Sequence, residues 1–123
     1  NTATSTIGAI DTSRMLSHHN PIYISAAQEY MSYQSQLQQE TQAKIDAAQD
    51  DATKQKIAEE ARQNLAKKDQ EIAKSVQDKA MEAAKAVGDA KGLSVVMTKE
   101  TVLYGGVDIT DQVLKKLATD AKK

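Results

Sequence analysis

Residues 93–117, Leu93-Ser94-Val95-Val96-Met97-Thr98-Lys99-Glu100-Thr101-Val102-Leu103-Tyr104-Gly105-Gly106-Val107-Asp108-Ile109-Thr110-Asp111-Gln112-Val113-Leu114-Lys115-Lys116-Leu117, decide the fold. Leu93 to Met97 are apolar and β-branched and read as a strand. Lys99-Glu100 is a two-residue break, although neither residue favours the positive φ of tight hairpin turns. Thr101 to Tyr104 read as the return strand, and Gly105-Gly106 as a second turn. Thr110 can N-cap a closing helix with Asp111 in its first turn. Val113, Leu114 and Leu117 form that helix's apolar face, and Lys115 and Lys116 lie near its C-terminal end, where positive charge suits the macrodipole. Asp120 to Lys123 are expected to fray. Just upstream, Gly92 suits the left-handed residue that closes a helix.

The other end of the chain carries a matching patch. Thr6-Ile7-Gly8-Ala9-Ile10-Asp11 reads as a short strand, and Asp11, Thr12 and Ser13 can cap a helical turn through Met15 and Leu16. Asn20-Pro21 then reads as N-cap and first helical residue, where the missing proline N–H is harmless. With β segments at both ends, the sequence reads as one domain over residues 1–123. Its body comprises residues 1–21 and 92–123, and a long helical insertion fills residues 22–91. The fold class is α+β. About three short strands make a poor independent sheet. A symmetric oligomer would close the edges and bury Ile7, Val95, Val102 and Tyr104. Ile10, Leu93, Met97 and Ile109 complete the expected body and oligomerisation set.

The insertion contains no Gly or Pro between Pro21 and Gly88. Ala, Gln, Lys and Glu dominate it, and all four are good helix formers. Ile57, Ala61, Leu65, Lys68, Ile72, Val76, Ala80, Ala83 and Val87 fall in steps of three and four and mark one stripe. The first half is thinner, with Tyr30, Leu37 and Ile45. Neither half is stable alone, so each needs a partner. Two arrangements fit these residues: a continuous helix of roughly 100 Å, or an antiparallel hairpin of roughly 45 Å, both at 1.5 Å per residue. The stripe lapses between Ala48 and Ile57, where Asp50, Asp51 and Thr53 could cap a returning helix.

Composition narrows the function. Of 123 residues, 16 are Lys or Arg and 17 Asp or Glu, which is not the basic excess of a general nucleic-acid binder. No apolar run approaches a membrane span. The absence of Cys excludes disulfides and zinc–thiolate sites and suits an oxidising compartment. The chain starts at Asn1 rather than Met, which reads as a processed or trimmed product from which any signal peptide would already be gone.

The residues offer no catalytic constellation, and no enzyme activity, cofactor or metal is expected. His18-His19 are neighbours about 100° apart on a helix, a poor joint metal site, and read as a solvated helix end. Asp50-Asp51 read as a cap or solvated tip. Gly105-Gly106 lack the Lys-Ser/Thr of a phosphate loop and read as a turn. Lys67-Lys68 and Lys115-Lys116 read as solvated faces. Tyr30 and Tyr33, three apart on one face, fit either packing or client contact.

The run LSVVMTKETVLYGGVDITDQVLKKL resembles the C-terminal signature of the OmpH/Skp family of periplasmic chaperones. Ile7-Gly8-Ala9-Ile10-Asp11 with Ser13-Arg14-Met15-Leu16 resembles the family's first strand and turn, and His19-Asn20-Pro21 with the Gln/Glu-rich helix after it also fits. The resemblance implies a trimer with a small β-rich body and long antiparallel helical hairpins projecting as tentacles, with the tip near residues 48–56. It implies an ATP-independent holdase for unfolded outer-membrane or envelope proteins, held in a cavity between tentacles, and a periplasmic location. The candidate client contacts are Tyr30, Tyr33, Ile45, Ile57, Leu65 and Ile72, each of which could instead seal the hairpin seam. The family's best-known members are strongly basic, whereas residues 40–91 here carry 10 basic and 11 acidic side chains. That near-neutrality keeps open an alternative: a structural or adaptor coiled coil of the cell envelope holding a folded partner.

Overall fold

The computed structural model describes residues 6–121. The elements run β1 (Ile7–Ile10), α1 (Thr12–Met15), α2 (Pro21–Ala47), α3 (Asp51–Ala90), β2 (Val95–Thr98), β3 (Val107–Asp108) and α4 (Thr110–Ala121). A short 3₁₀ turn, Lys99–Thr101, follows β2. The two long helices fall between β1 and β2 in the chain, and helix outweighs strand throughout.

Two compact units result, one joining residues 6–25 to residues 76–121 and the other spanning Ala26–Ser75. In the second unit α2 ends where the Ala48 N–H bonds both Lys44 and Ile45 carbonyls at 3.1 Å, and α3 begins three residues later. The Asp50 carboxylate accepts the Thr53 N–H at 2.7 Å, so a side-chain cap supplies the break that no Gly or Pro enforces. Half-buried residues mark the seam of this unit: Ala26, Tyr30, Tyr33, Leu37, Thr41 and Ile45 on α2, and Ile57, Ala61, Leu65, Lys68 and Ile72 on α3. Lys68 fits that seam because its stem is covered while its ammonium pairs with Glu29 at 3.1 Å. The same ammonium lies 5.3 Å from the Tyr33 ring centroid, within cation–π range.

The first unit is built on a three-stranded sheet in the order β2-β1-β3. Both neighbours run parallel to β1, with Ile7 beside Val95, Ala9 beside Met97 and Gly8 beside Val107. Its buried core is Met15, Ala83, Ile109, Val113, Leu114 and Leu117, with Ile10, Ile22, Leu93 and Val96 packed against it. Gly8 is required by this packing. A Cβ there would come within 2.9 Å of Leu93 Cδ1 and 3.2 Å of Ile109 Cδ1. Gly92, at φ +71°, turns the chain out of α3, and the Leu93 N–H closes back on the Gly88 carbonyl at 2.8 Å. This pairing is a Schellman cap, and it delivers Leu93 to the core.

Four expectations need correction. Thr101 to Tyr104 form no return strand. The Thr101 hydroxyl instead donates to the Thr98 carbonyl at 2.8 Å, the chain tightens into the 3₁₀ turn, and the third strand forms only after Gly105 and Gly106, both at positive φ. Consequently β3 runs parallel to β1, as β2 does, because the chain crosses back before pairing with it. Leu93 belongs to the helix cap and not to β2. Thr110 is not the capping side chain of α4: the Asp108 carboxylate accepts the Thr110 N–H at 2.9 Å, and Thr110 lies inside the helix. α4 extends into the segment expected to fray: it runs through Ala121, and Lys116 pairs with Asp120 at 3.2 Å. Lys122, Lys123 and residues 1–5 of the expected body lie outside the described residues.

Candidate interaction surfaces

Within the helical unit, Tyr30, Tyr33, Ile45, Ile57, Leu65 and Ile72 all occupy half-buried positions. Each is therefore turned toward the seam, and the flanks on either side are largely exposed. Charges are divided unevenly between the two helices. Between Pro21 and Gln39, α2 bears a single charge, Glu29, which is tied to Lys68. On α3 the charges are dense, and Arg62 pairs with Glu59 one turn away.

In the other unit the parallel register fixes which side chains share a sheet face. Gly8 faces Ile109, Leu93 and the core. Alternation then places Ile7, Ala9, Val95 and Met97 on the opposite face. Ala9 is buried at 6 % and Ile7 half-buried, whereas Val95 is 47 % exposed and Met97 38 %, so this apolar face is open to solvent along its β2 edge. The crossover from β2 to β3 passes beside it, since Gly106 lies near both the Ile7 carbonyl and Val102. Tyr104 on that crossover is 96 % exposed and its neighbour Leu103 is 101 % exposed. Of the eight body residues singled out from the sequence, Ile7, Ile10, Leu93 and Val102 are half-buried, and Val95, Met97 and Tyr104 are exposed. Ile109 is fully buried within its own chain. Sequence reasoning missed Leu103 and Val107 as exposed apolar residues; reading TVLY as a strand implied that Leu103 had an inward partner.

A polar network ties the sheet's C-terminal end together. The Thr110 hydroxyl accepts the Asp11 N–H at 2.9 Å and donates to Asp108 Oδ1 at 2.6 Å. The hydroxyl and N–H of Thr110 hold the Asp108 carboxyl below its ordinary range, and the Ser13 hydroxyl does the same for Asp11. Arg14 pairs with Asp111 at 2.6 Å, and Thr12 donates to Glu100 at 2.7 Å. These contacts hold β1, α1, the 3₁₀ turn and α4 in register. His18 and His19 are not buried, and their ring centroids lie 4.2 Å apart. Among the described residues no group of three or more His, Cys, Asp or Glu could hold a metal, and no helix is long and apolar enough to cross a membrane.

The chain therefore inserts two long helices between the first and second strands of a small parallel sheet, one face of which is partly open to solvent. Comparison with known families matches residues 23–117 to the family described as outer membrane protein (OmpH-like), and the chain belongs to that family. The match covers nearly all of both long helices and the strands after them. No curated protein matches the chain. Family membership supports a chaperone-type role toward outer-membrane proteins.

Proposed function

We propose that this protein is an ATP-independent holdase of the periplasm, which keeps unfolded outer-membrane or envelope proteins from aggregating in a cavity between the arms of a homotrimer. The family match over residues 23–117 carries this reading. The Glu29–Lys68 contact supports an antiparallel arrangement, because it joins the early part of α2 to the middle of α3. A trimer is favoured by the open face around Val95 and Met97 and by the exposure of Leu103 and Tyr104, since three such edges and faces could close on one another. Capture would rest on many weak contacts repeated over three subunits, so that avidity replaces single-site affinity. Near-neutral arms imply that positive charge contributes little to it.

The reading is tested by diluting a urea-denatured outer-membrane β-barrel into buffer with stoichiometric trimer and following light scattering. Suppressed aggregation without ATP, across a range of ionic strength, is expected. A chain that sediments as a monomer, or that leaves scattering unchanged, would sink the proposal.

A further inference from the structure

The first helix of the arm has one flank built differently from the other. At 3.6 residues per turn, Ala27, Met31, Gln34, Ser35 and Gln38 lie on one flank of α2, beside the seam marked by Ala26, Tyr30, Tyr33 and Leu37. None of the five is charged, and Met31 is 65 % exposed. The opposite side of α2 holds Glu29 and Glu40, and its amide Gln36 is committed to Glu40 at 3.1 Å. Toward the tip Gln42 is likewise committed to Asp46, at 2.8 Å. Among the described residues, the amides of Gln34 and Gln38 have no partner. On α3 the division is weaker. Lys56, Glu60, Lys67 and Glu71 crowd one flank, whereas the other carries Ala66 and Ala73 with Asp69 and with Arg62, which is paired to Glu59. In an antiparallel pair this alanine-bearing flank falls on the same side of the hairpin as the uncharged flank of α2. The Glu29–Lys68 and Lys68–Tyr33 contacts lie toward the charged side.

We infer that the uncharged flank, from Ala27 to Gln38 on α2, is the surface that receives the client, and that its occupant is an extended, uncharged segment of unfolded chain held partly through its backbone. This rests on the holdase reading and specifies which face of the arm performs it. The chemistry favours that occupant. A free Gln amide offers two donors and an acceptor, so it can pair with the N–H and C=O of any extended segment regardless of sequence. Met31 adds an adaptable apolar contact for whichever side chain comes beside it. A second copy of the chain is a poor fit. A stable interface needs about 800 Å² per partner around an apolar centre, and Met31 is the one large apolar side chain on this stretch of flank. A charged client segment fits α2 less well, because this flank offers it no counter-charge; the nearest on that side are Asp69 and the Glu59-paired Arg62 of α3.

Photo-crosslinking residues placed singly at Gln34, Gln38, Ser32 and Gln36 test this in the full-length protein with the denatured β-barrel as probe. Gln34 and Gln38 are expected to capture client, and Ser32 and Gln36 are not. In parallel, the double variant Gln34→Glu with Gln38→Glu is expected to weaken client Kd roughly tenfold, with Ser32→Glu as the matched control left within about twofold. Equal capture on both sides overturns the inference, and so do crosslinks from Gln34 to a second copy or an unchanged Kd in the double variant. Failure of the wild-type protein to bind the probe at all instead overturns the holdase reading, so the two failures are distinguishable.

Discussion

Replacing Asn20 by aspartate exchanges one amide for a carboxyl and should make stability fall as pH rises from 4.5 to 7.5. Asn20 is 1 % exposed. Its Nδ2 donates to the Met15 carbonyl at 2.8 Å, and its Oδ1 accepts the Ile22 N–H at 3.0 Å, so one amide closes α1 and opens α2. In Asn20→Asp the new carboxylate would keep the second bond and, being negative at a helix N-terminus, would gain up to about 1 kcal/mol there. It would also set a carboxylate oxygen against the Met15 carbonyl oxygen in a buried site. Losing that donor leaves a buried acceptor unpaired, at about 1–3 kcal/mol, before the desolvation of the charge is counted. The net expectation is a loss of about 1–3 kcal/mol at pH 7.5. Protonation restores a donor that can face Met15, so the folded-state pKa of this carboxyl lies above its unfolded value. Its stability is then fullest below the unfolded pKa and declines as pH rises through the folded one. Urea unfolding followed by circular dichroism at fixed protomer concentration, at pH 4.5 and pH 7.5, measures both quantities. Asn20→Asp should approach wild type at the lower pH and fall away at the higher, whereas Asn20→Ala should be destabilised by about 2–4 kcal/mol at both, from the lost cap and the orphaned carbonyl. An Asn20→Asp protein with no pH-dependent deficit would refute the role assigned to the Met15 contact.

Thr110→Val keeps the shape of a fully buried side chain but removes the acceptor for the Asp11 N–H. It should cost about 1–2 kcal/mol and speed hydrogen exchange at Asp11, while Thr110→Ser retains the protection. Gly92→Ala forces a Cβ into φ +71° at the end of α3 and should lose about 1 kcal/mol in the same unfolding assay. Asp108 and Asp11 have folded pKa values below the ordinary 3.8, so the stability they contribute is complete above that value and is lost as pH falls through the lower folded values. Wild-type midpoints should therefore hold between pH 7 and pH 5 and fall below about pH 4, and Asp108→Asn should flatten that fall.

The long helices were legible because their signal is local. An unbroken run of good helix formers and steps of three and four need no knowledge of partners, and every half-buried position from Ala61 to Ala80 lies on the stripe read from sequence. The cap at Asp50 was legible for the same reason. Sheet topology was not. Val95 to Met97 and Val102 to Tyr104 carry similar strand propensity, and the choice between them rests on which segment can reach β1. That depends on Thr98, Thr101 and two glycines at positive φ, not on apolar pattern. Likewise Asp108 and Thr110 are both competent caps, and the Asp11 N–H, 99 residues away in sequence, engages the Thr110 hydroxyl and leaves the capping to the Asp108 carboxylate. The uncharged flank of α2 was visible only as twelve Gln residues in the composition. The structure adds that Gln36 and Gln42 are engaged by Glu40 and Asp46, whereas Gln34 and Gln38 have no partner among the described residues.

The body's core explains why folding and assembly should be coupled. Its fully enclosed large apolar side chains, Ile109, Val113 and Leu117, come from the C-terminal segment alone. They are covered by Met15 from the opposite end of the chain and by Ala83 from the end of the insertion. Three distant segments must therefore meet to bury a few aliphatic residues, with no Phe or Trp to add area. Chain entropy on that scale is offset only by more burial, and the exposed apolar side chains that could supply it include Val95 and Met97 on the open sheet face, with Leu103 and Tyr104 beside it. Association that covered this face would add the missing area to the same cooperative unit, so the unfolding midpoint should rise with protomer concentration. The two long helices need no such supplement at their seam, which closes within the chain through the half-buried Tyr30, Tyr33, Leu37, Leu65 and Ile72 and the Glu29–Lys68 pair.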